Sequence, residues 1–293
     1  MSTLPHWLPF AFLGAAIVAV WMPVRRHATG WKALPLWAHL FALAVGTGIA
    51  QGALNWTALP SLVATLLAAW GMTRASSPAW RRVCAVAAFV LGVLLLLRQL
   101  PGFNPYLVVP PEPLSAGARP YRLELRFDYA VVGLIFAALV ARRVNAASDW
   151  LRIGRVALIV TPLTILAIVP FALAANWFDF APKLPAIAWV HVPALLLGVY
   201  VAEEAFFRGM VQEPLHRLAE RGRVPVWAPA TIPTVLFGLA HAGRGWLYIG
   251  FAAVAGLGLA LAYAMTRRVE AAILVHAGIS FTHFFFFTYP RLQ

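Results

Sequence analysis

Apolar runs of nearly membrane-spanning length follow one another along almost the whole chain, and little remains once they are set aside. A helix crosses the hydrocarbon core, about 30 Å thick, with about 20 consecutive apolar residues. The candidate spans are Trp7 to Met22, Leu34 to Leu54, Leu59 to Met72, Val83 to Leu97, Tyr129 to Ala141, Val156 to Ala175, Ile187 to Phe207, Trp227 to His241, Trp246 to Met265 and Ala271 to Tyr289. Short runs can be re-entrant or interfacial, which sets the expected number at about eight to ten. Of the 293 residues, 62% are hydrophobic and 11% charged, against roughly 45–50% and about 25% in a soluble domain. No soluble core absorbs that much apolar side chain. In lipid, backbone groups must be satisfied within each segment, so the expected fold class is all-α, a polytopic transmembrane helical bundle.

The formal net charge of +13 would suggest nucleic-acid binding in a soluble protein. Here the cations fall in alternate connections: Arg25, Arg26 and Lys32; Arg74, Arg81 and Arg82; Arg142, Arg143, Arg152 and Arg155; Arg208, Arg217, Arg221 and Arg223; Arg267 and Arg268. The connections Gln51 to Ala58 and Asn176 to Ala186 are nearly free of them. This is the positive-inside pattern, so the partner is a lipid bilayer and no nucleic acid is implied; both termini are expected outside. Met1 to His6 carries no basic n-region, so the first run is expected to stay as an anchor. The single Cys84 lies in an apolar run, where it reads as a packing residue and permits no intrachain disulfide. Arginine outnumbers lysine and alanine is abundant, a composition that suits a GC-rich bacterial genome.

The longest polar interruption, Pro101 to Asp128, carries Pro101, Pro105, Pro110, Pro111, Pro113 and Pro120 and cannot be helical throughout. It is read as an ordered outer loop or linker. It divides an N-terminal transmembrane unit, 1–128, from a second transmembrane domain, 129–293.

An ionisable side chain within a span costs at least about 2.5–3.5 kcal/mol on insertion scales, so such residues are functional candidates by default. Glu203 and Glu204 end one span, His241 ends the next, and His276 lies in the last, followed by Ser280 and His283. With helical spacing, Glu204 and Arg208 stack one turn apart and form a favourable pair, while Glu203 points about a quarter-turn away and is left to act on water as a general base. Phe237 and His241 share a helical face, as do His276 and Ser280. Two histidines and a carboxylate can deprotonate a water directly or through a divalent metal such as zinc, with Glu203, His241 and His276 as the candidate ligands. A hydroxyl one turn from His276 can donate to a developing oxyanion. Taken singly these residues have plainer readings: a membrane histidine often bonds across helices, and a Glu–Arg pair can anchor an interface. His191, near a span start, and His283, among Phe281 and Phe284 to Phe287, are both placed near an interface.

The segments Glu203-Glu204-Ala205-Phe206-Phe207-Arg208, Phe237-Gly238-Leu239-Ala240-His241 and His276-Ala277-Gly278-Ile279-Ser280 resemble the motifs EExxxR, FxxxH and HxxxN of the CPBP family. That family joins type II CAAX-prenyl proteases with bacteriocin-processing and immunity proteins. The resemblance spans roughly Ile187 to Tyr289 and implies a helical membrane fold whose active site lies between C-terminal helices and hydrolyses a peptide bond in or near the bilayer. It implies Glu203 as the water-activating residue assisted by His241, with Glu204 and Arg208 in support and His276 binding water or the oxyanion. Ser280 stands where the family has asparagine and offers one hydroxyl donor instead of two amide donors. The family has been described both as metal-dependent and as glutamate-dependent without metal, and the residues here fit either. For His241 to meet Glu203, its helix must tilt or begin deep, and Pro229 and Pro233 are places for that.

The expected function is therefore an intramembrane endopeptidase of a bacterial inner membrane acting on a membrane-attached protein or peptide. Two rivals stand beside it: a catalytically silent scaffold or immunity protein, which the Ser280 departure favours, and a transporter using the same buried acids and histidines. No inverted repeat is evident in support of the transporter.

Overall fold

The structure is a computed structural model that describes residues 5–23 and 34–293. Arg25, Arg26 and Lys32, and the leading residues Met1 to Leu4, lie outside the described residues.

Among the described residues, each of the ten apolar runs contains an apolar helix. They are α1 (Leu8–Ala19), α2 (Leu36–Ala50), α3 (Leu59–Arg74), α4 (Pro78–Leu96), α5 (Phe127–Leu139), α6 (Ala147–Ala174), α7 (Ala188–Glu220), α8 (Ala228–Ala240), α9 (Trp246–Thr266) and α10 (Val269–Phe286). Six are long and apolar enough to cross a membrane, α3 with its leading turn from Trp56, α4, α6, α7, α9 and α10, while α1, α2, α5 and α8 are shorter. The helices of this multi-pass membrane protein begin in a recurrent way. Pro9, Pro60, Pro78 and Pro229 sit in first turns, where a missing N–H costs nothing and the fixed φ favours helix. On α6, Leu158 is 78% and Phe171 70% exposed, a surface suited to lipid and not to water.

The proline-rich interruption is ordered, as expected, and holds a two-stranded sheet of β1 (Tyr106–Glu112) and β2 (Tyr121–Leu125). Pro110 and Pro111 are tolerated in β1 because a two-stranded sheet consists only of edges.

The described chain forms two compact units, each discontinuous in sequence. The first comprises the described residues up to Val108 with Glu124–Ala141 and Pro193–Phe206. In it α5 packs on the α7 segment Val201–Glu204. A Cβ at Gly133 would lie 3.0 Å from the backbone nitrogen of Ala202, so only glycine allows the two helices this close.

The second unit comprises Val109–Leu123, Arg142–Val192 and Phe207–Gln293. Here α6 packs on α9 and α10, and α8 on α9. Cβ atoms at Gly258 and Gly278 would stand 2.3 Å from Thr164 Oγ1 and 2.7 Å from Thr161 Cγ2, so two glycines admit two threonines of α6. At one end of this unit, cations from three of the basic connections converge on the buried carboxylate of Glu213: Arg142 at 3.3 Å, Arg217 at 3.1 Å and Arg267 at 2.9 Å. Tyr263 donates its hydroxyl to the same carboxylate at 2.9 Å. The third, fourth and fifth arginine groups thus share one end, as positive-inside alternation requires.

Candidate active site

The helix α7 is not uniformly α-helical. Its segments Leu196–Tyr200 and Ala205–Gln212 are π-helical, and Val201–Glu204 is a short α-helical stretch between them. Such wide turns are rare and concentrate at functional sites. The motif acids occupy the α-helical stretch. Glu203 is 6% exposed, while Glu204 and Arg208 are fully buried.

In the first unit, Tyr129 of α5 donates its hydroxyl to Glu203 Oε1 at 2.7 Å. The donated hydrogen bond fixes the orientation of the carboxylate, as a general base requires. Tyr129 lies one turn before Gly133, the residue that brings α5 against α7. Nothing in the sequence marks this partner, 74 residues from Glu203.

In the second unit, Arg208 Nη1 donates to Gln212 Oε1 at 3.0 Å. Gln212 Nε2 donates in turn to the carbonyl of Ala260 on α9 at 2.8 Å, which fixes the amide orientation because a carbonyl only accepts. Gln212 is one helical turn from Arg208, so its spacing was visible in the sequence.

The remaining motif residues meet around a cavity of about 130 Å³ in the second unit. His241, His276 and Ser280 all line it, together with His283, Phe237 and Tyr248. The helix α8 spans only 13 residues, about 20 Å, with Pro229 in its first turn and Pro233 inside it. The ring of Phe237, 3% exposed, lies 4.8 Å from the His241 ring and 5.8 Å from the His276 ring. His241 Nδ1 is 2.8 Å from the carbonyl of Phe237, so Nδ1 carries the proton and Nε2 keeps its lone pair. A tautomer held by a backbone carbonyl is the arrangement a base or a metal ligand needs.

Two histidines differ from their expected placement. His283 is a cavity residue and not merely an interface one: it lies on the face of α10 that carries His276 and Ser280, and its Nε2 donates to the carbonyl of Thr288 at 3.2 Å. Its spacing of seven from His276 was the available signal. His191 is 1% exposed; it stacks on Phe284 with ring centres 3.7 Å apart and pairs with the Tyr121 hydroxyl at 2.8 Å.

A partly open, largely apolar cavity that three imidazoles and a hydroxyl also line lies among the apolar helices of a multi-pass membrane protein, where ionisable side chains are functional candidates. Residues 185–282 match the family model of type II CAAX prenyl endopeptidases described as Rce1-like. The resemblance drawn from the three motifs is borne out. No curated protein and no solved structure matches the chain.

Proposed function

We propose that the protein is an intramembrane endopeptidase of a bacterial inner membrane that hydrolyses a peptide bond in a membrane-attached protein or peptide, with 129–293 as the catalytic domain and 1–128 as an N-terminal addition to it. The observation that carries this reading is the shared cavity of His241, His276 and Ser280, contributed by two helices of the region matched to an endopeptidase family.

In the proposed mechanism the Glu203 carboxylate, oriented by Tyr129, takes a proton from water as the water oxygen bonds to the scissile carbonyl carbon. Nε2 of His241 accepts a hydrogen bond from the same water. Charge develops on the carbonyl oxygen and is met by His276 and the Ser280 hydroxyl. As the C–N bond breaks, the proton held by Glu203 passes to the leaving amine. Glu204 and Arg208 support the site, and Gln212 holds Arg208 in place. The donor set also suits a divalent ion such as zinc: the tautomer of His241 leaves Nε2 available, and Glu203, His241 and His276 would hold the ion. A bound ion would lower the pKa of its water.

The test is cleavage in reconstituted membranes of candidate membrane-tail proteins from the native organism, with wild type beside Glu203→Ala and His241→Ala. Cleavage by wild type and loss in both folded variants supports the reading. Retained cleavage in the variants rejects it in favour of another mechanism.

A further inference from the structure

One imidazole at the cavity has no task in the proposed mechanism. His241, His276 and His283 all line it, and His283 shares a face of α10 with His276 and Ser280. Nε2 of His283 donates to the carbonyl of Thr288 at 3.2 Å, so the proton sits on that nitrogen and Nδ1 keeps a lone pair. Among the described residues nothing donates to Nδ1. The ring is held from two sides, with its centre 4.8 Å from that of Phe178 and 5.1 Å from that of Tyr289. Phe178 packs with Phe287, Ile168 and Phe251, which also line the cavity, so the surroundings of this acceptor are apolar.

An acceptor in apolar surroundings is costly until a donor reaches it. A peptide drawn out within the bilayer has the converse need, because its N–H groups find no partner in hydrocarbon and must be met by protein. The spacing along α10 suits such a match. In the proposed mechanism His276 and Ser280 meet the oxygen of the attacked carbonyl. His283 lies seven residues after the first and three after the second, about 10.5 and 4.5 Å at 1.5 Å per residue. Backbone groups of an extended chain face alternate sides, so the N–H groups two residues before and two after the attacked carbonyl point the same way as its oxygen. At about 3.3 Å per residue they stand about 4–9 Å from it, the reach that separates His283 from the oxyanion donors.

On the reading that this cavity serves an endopeptidase, we infer that His283 anchors the substrate main chain: its Nδ1 accepts a hydrogen bond from a peptide N–H two residues from the attacked carbonyl. A contact to main chain sets which bond lies at His276 and Ser280 and is indifferent to the side chains of the substrate.

The experiment uses a synthetic peptide spanning the bond that wild type cuts in a membrane-tail protein, with single ester linkages that replace one N–H by oxygen. Binding is measured to the full-length Glu203→Ala protein in nanodiscs of neutral lipid, so cleavage plays no part. An ester two residues before the attacked carbonyl, or one two residues after it, is expected to weaken binding about tenfold, and which of them responds gives the direction of the chain. An ester one residue before it faces the other way and is expected to bind like the amide. These comparisons leave His283 untouched, so they do not depend on the folding of a variant. In Glu203→Ala/His283→Phe the amide peptide should bind about tenfold more weakly and the ester should cost nothing further. Glu203→Ala/His283→Asn keeps an acceptor oxygen and should restore the sensitivity. With Glu203 present, His283→Phe should raise KM about tenfold and leave kcat unchanged. Equal binding of every ester overturns the inference and leaves water as the donor to Nδ1. A sensitivity that survives His283→Phe also overturns it, as does a fall in kcat at unchanged KM, which would assign His283 to proton transfer. The protease reading fails separately, through cleavage that Glu203→Ala retains or a wild type that cuts no tail protein, and the anchor falls with it.

Discussion

Phe237→Ala tests whether the aromatic of the second motif works by holding two imidazoles. The ring touches both His241 and His276, at 4.8 and 5.8 Å between centres. Contacts between aromatic rings are worth about 0.5–1.5 kcal/mol each beyond burial. Two of them give about 1–3 kcal/mol, which corresponds to about 5- to 150-fold in rate if the loss falls on positioning. The substitution leaves the Phe237 carbonyl in place, so the proton on His241 Nδ1 stays where it is and only the ring is removed. Stability is expected to fall by about 2 kcal/mol. That is less than the ~3–5 kcal/mol of a soluble core, because lipid already solvates apolar surface and only the packing share is lost. The assay is cleavage of a membrane-tail substrate in proteoliposomes, read as kcat and KM, with thermal unfolding of the same sample. Phe237→Leu should fall between Phe237→Ala and wild type. A folded Phe237→Ala protein that cleaves at the wild-type rate refutes the positioning role.

Tyr129→Phe removes one hydrogen bond to a charged acceptor, about 1.5–3 kcal/mol, and is expected to lower kcat about 10- to 150-fold with KM unchanged; an unaltered kcat would show that Tyr129 does not orient the base. Glu213→Gln strips the charge from the partner of Arg142, Arg217 and Arg267. It should cost about 2–3 kcal/mol in thermal or denaturant unfolding, less than a fully buried pair because Arg142 and Arg217 are 44% and 61% exposed. Gly258→Val places a Cβ 2.3 Å from Thr164 Oγ1 and should destabilise by about 1–3 kcal/mol, with Thr164→Ala restoring part of the loss in a double-variant melt.

How far the site could be read from the chain depends on distance along it. The pairs Phe237–His241 and His276–Ser280 sit one turn apart, so helical spacing alone put each on one face. His283 continues the same face of α10, but its run of phenylalanines reads as an interface belt and masked it. The π-helical geometry of Ala205–Gln212 is invisible to a 3.6-residue period, although the four-residue spacing of Arg208 and Gln212 is legible in the chain. The contacts Tyr129–Glu203 and Tyr121–His191 join residues 74 and 70 apart, which no local pattern encodes. The sheet of β1 and β2 went unread because prolines count against a strand unless it lies at an edge.

By itself, the sequence determined what is local or statistical: the apolar helices, the basic connections that gather at Glu213, and the three motifs that carry the family resemblance. These follow from solvation and from helical period, both of which act residue by residue. Only the tertiary structure decided which glycines let helices approach, which hydroxyl holds Glu203, and which residues line the cavity with His241 and His276. Lipid offers little hydrophobic force between helices, so their pairing is set by the fit of small side chains and a few hydrogen bonds, and that fit exists only once the helices have met.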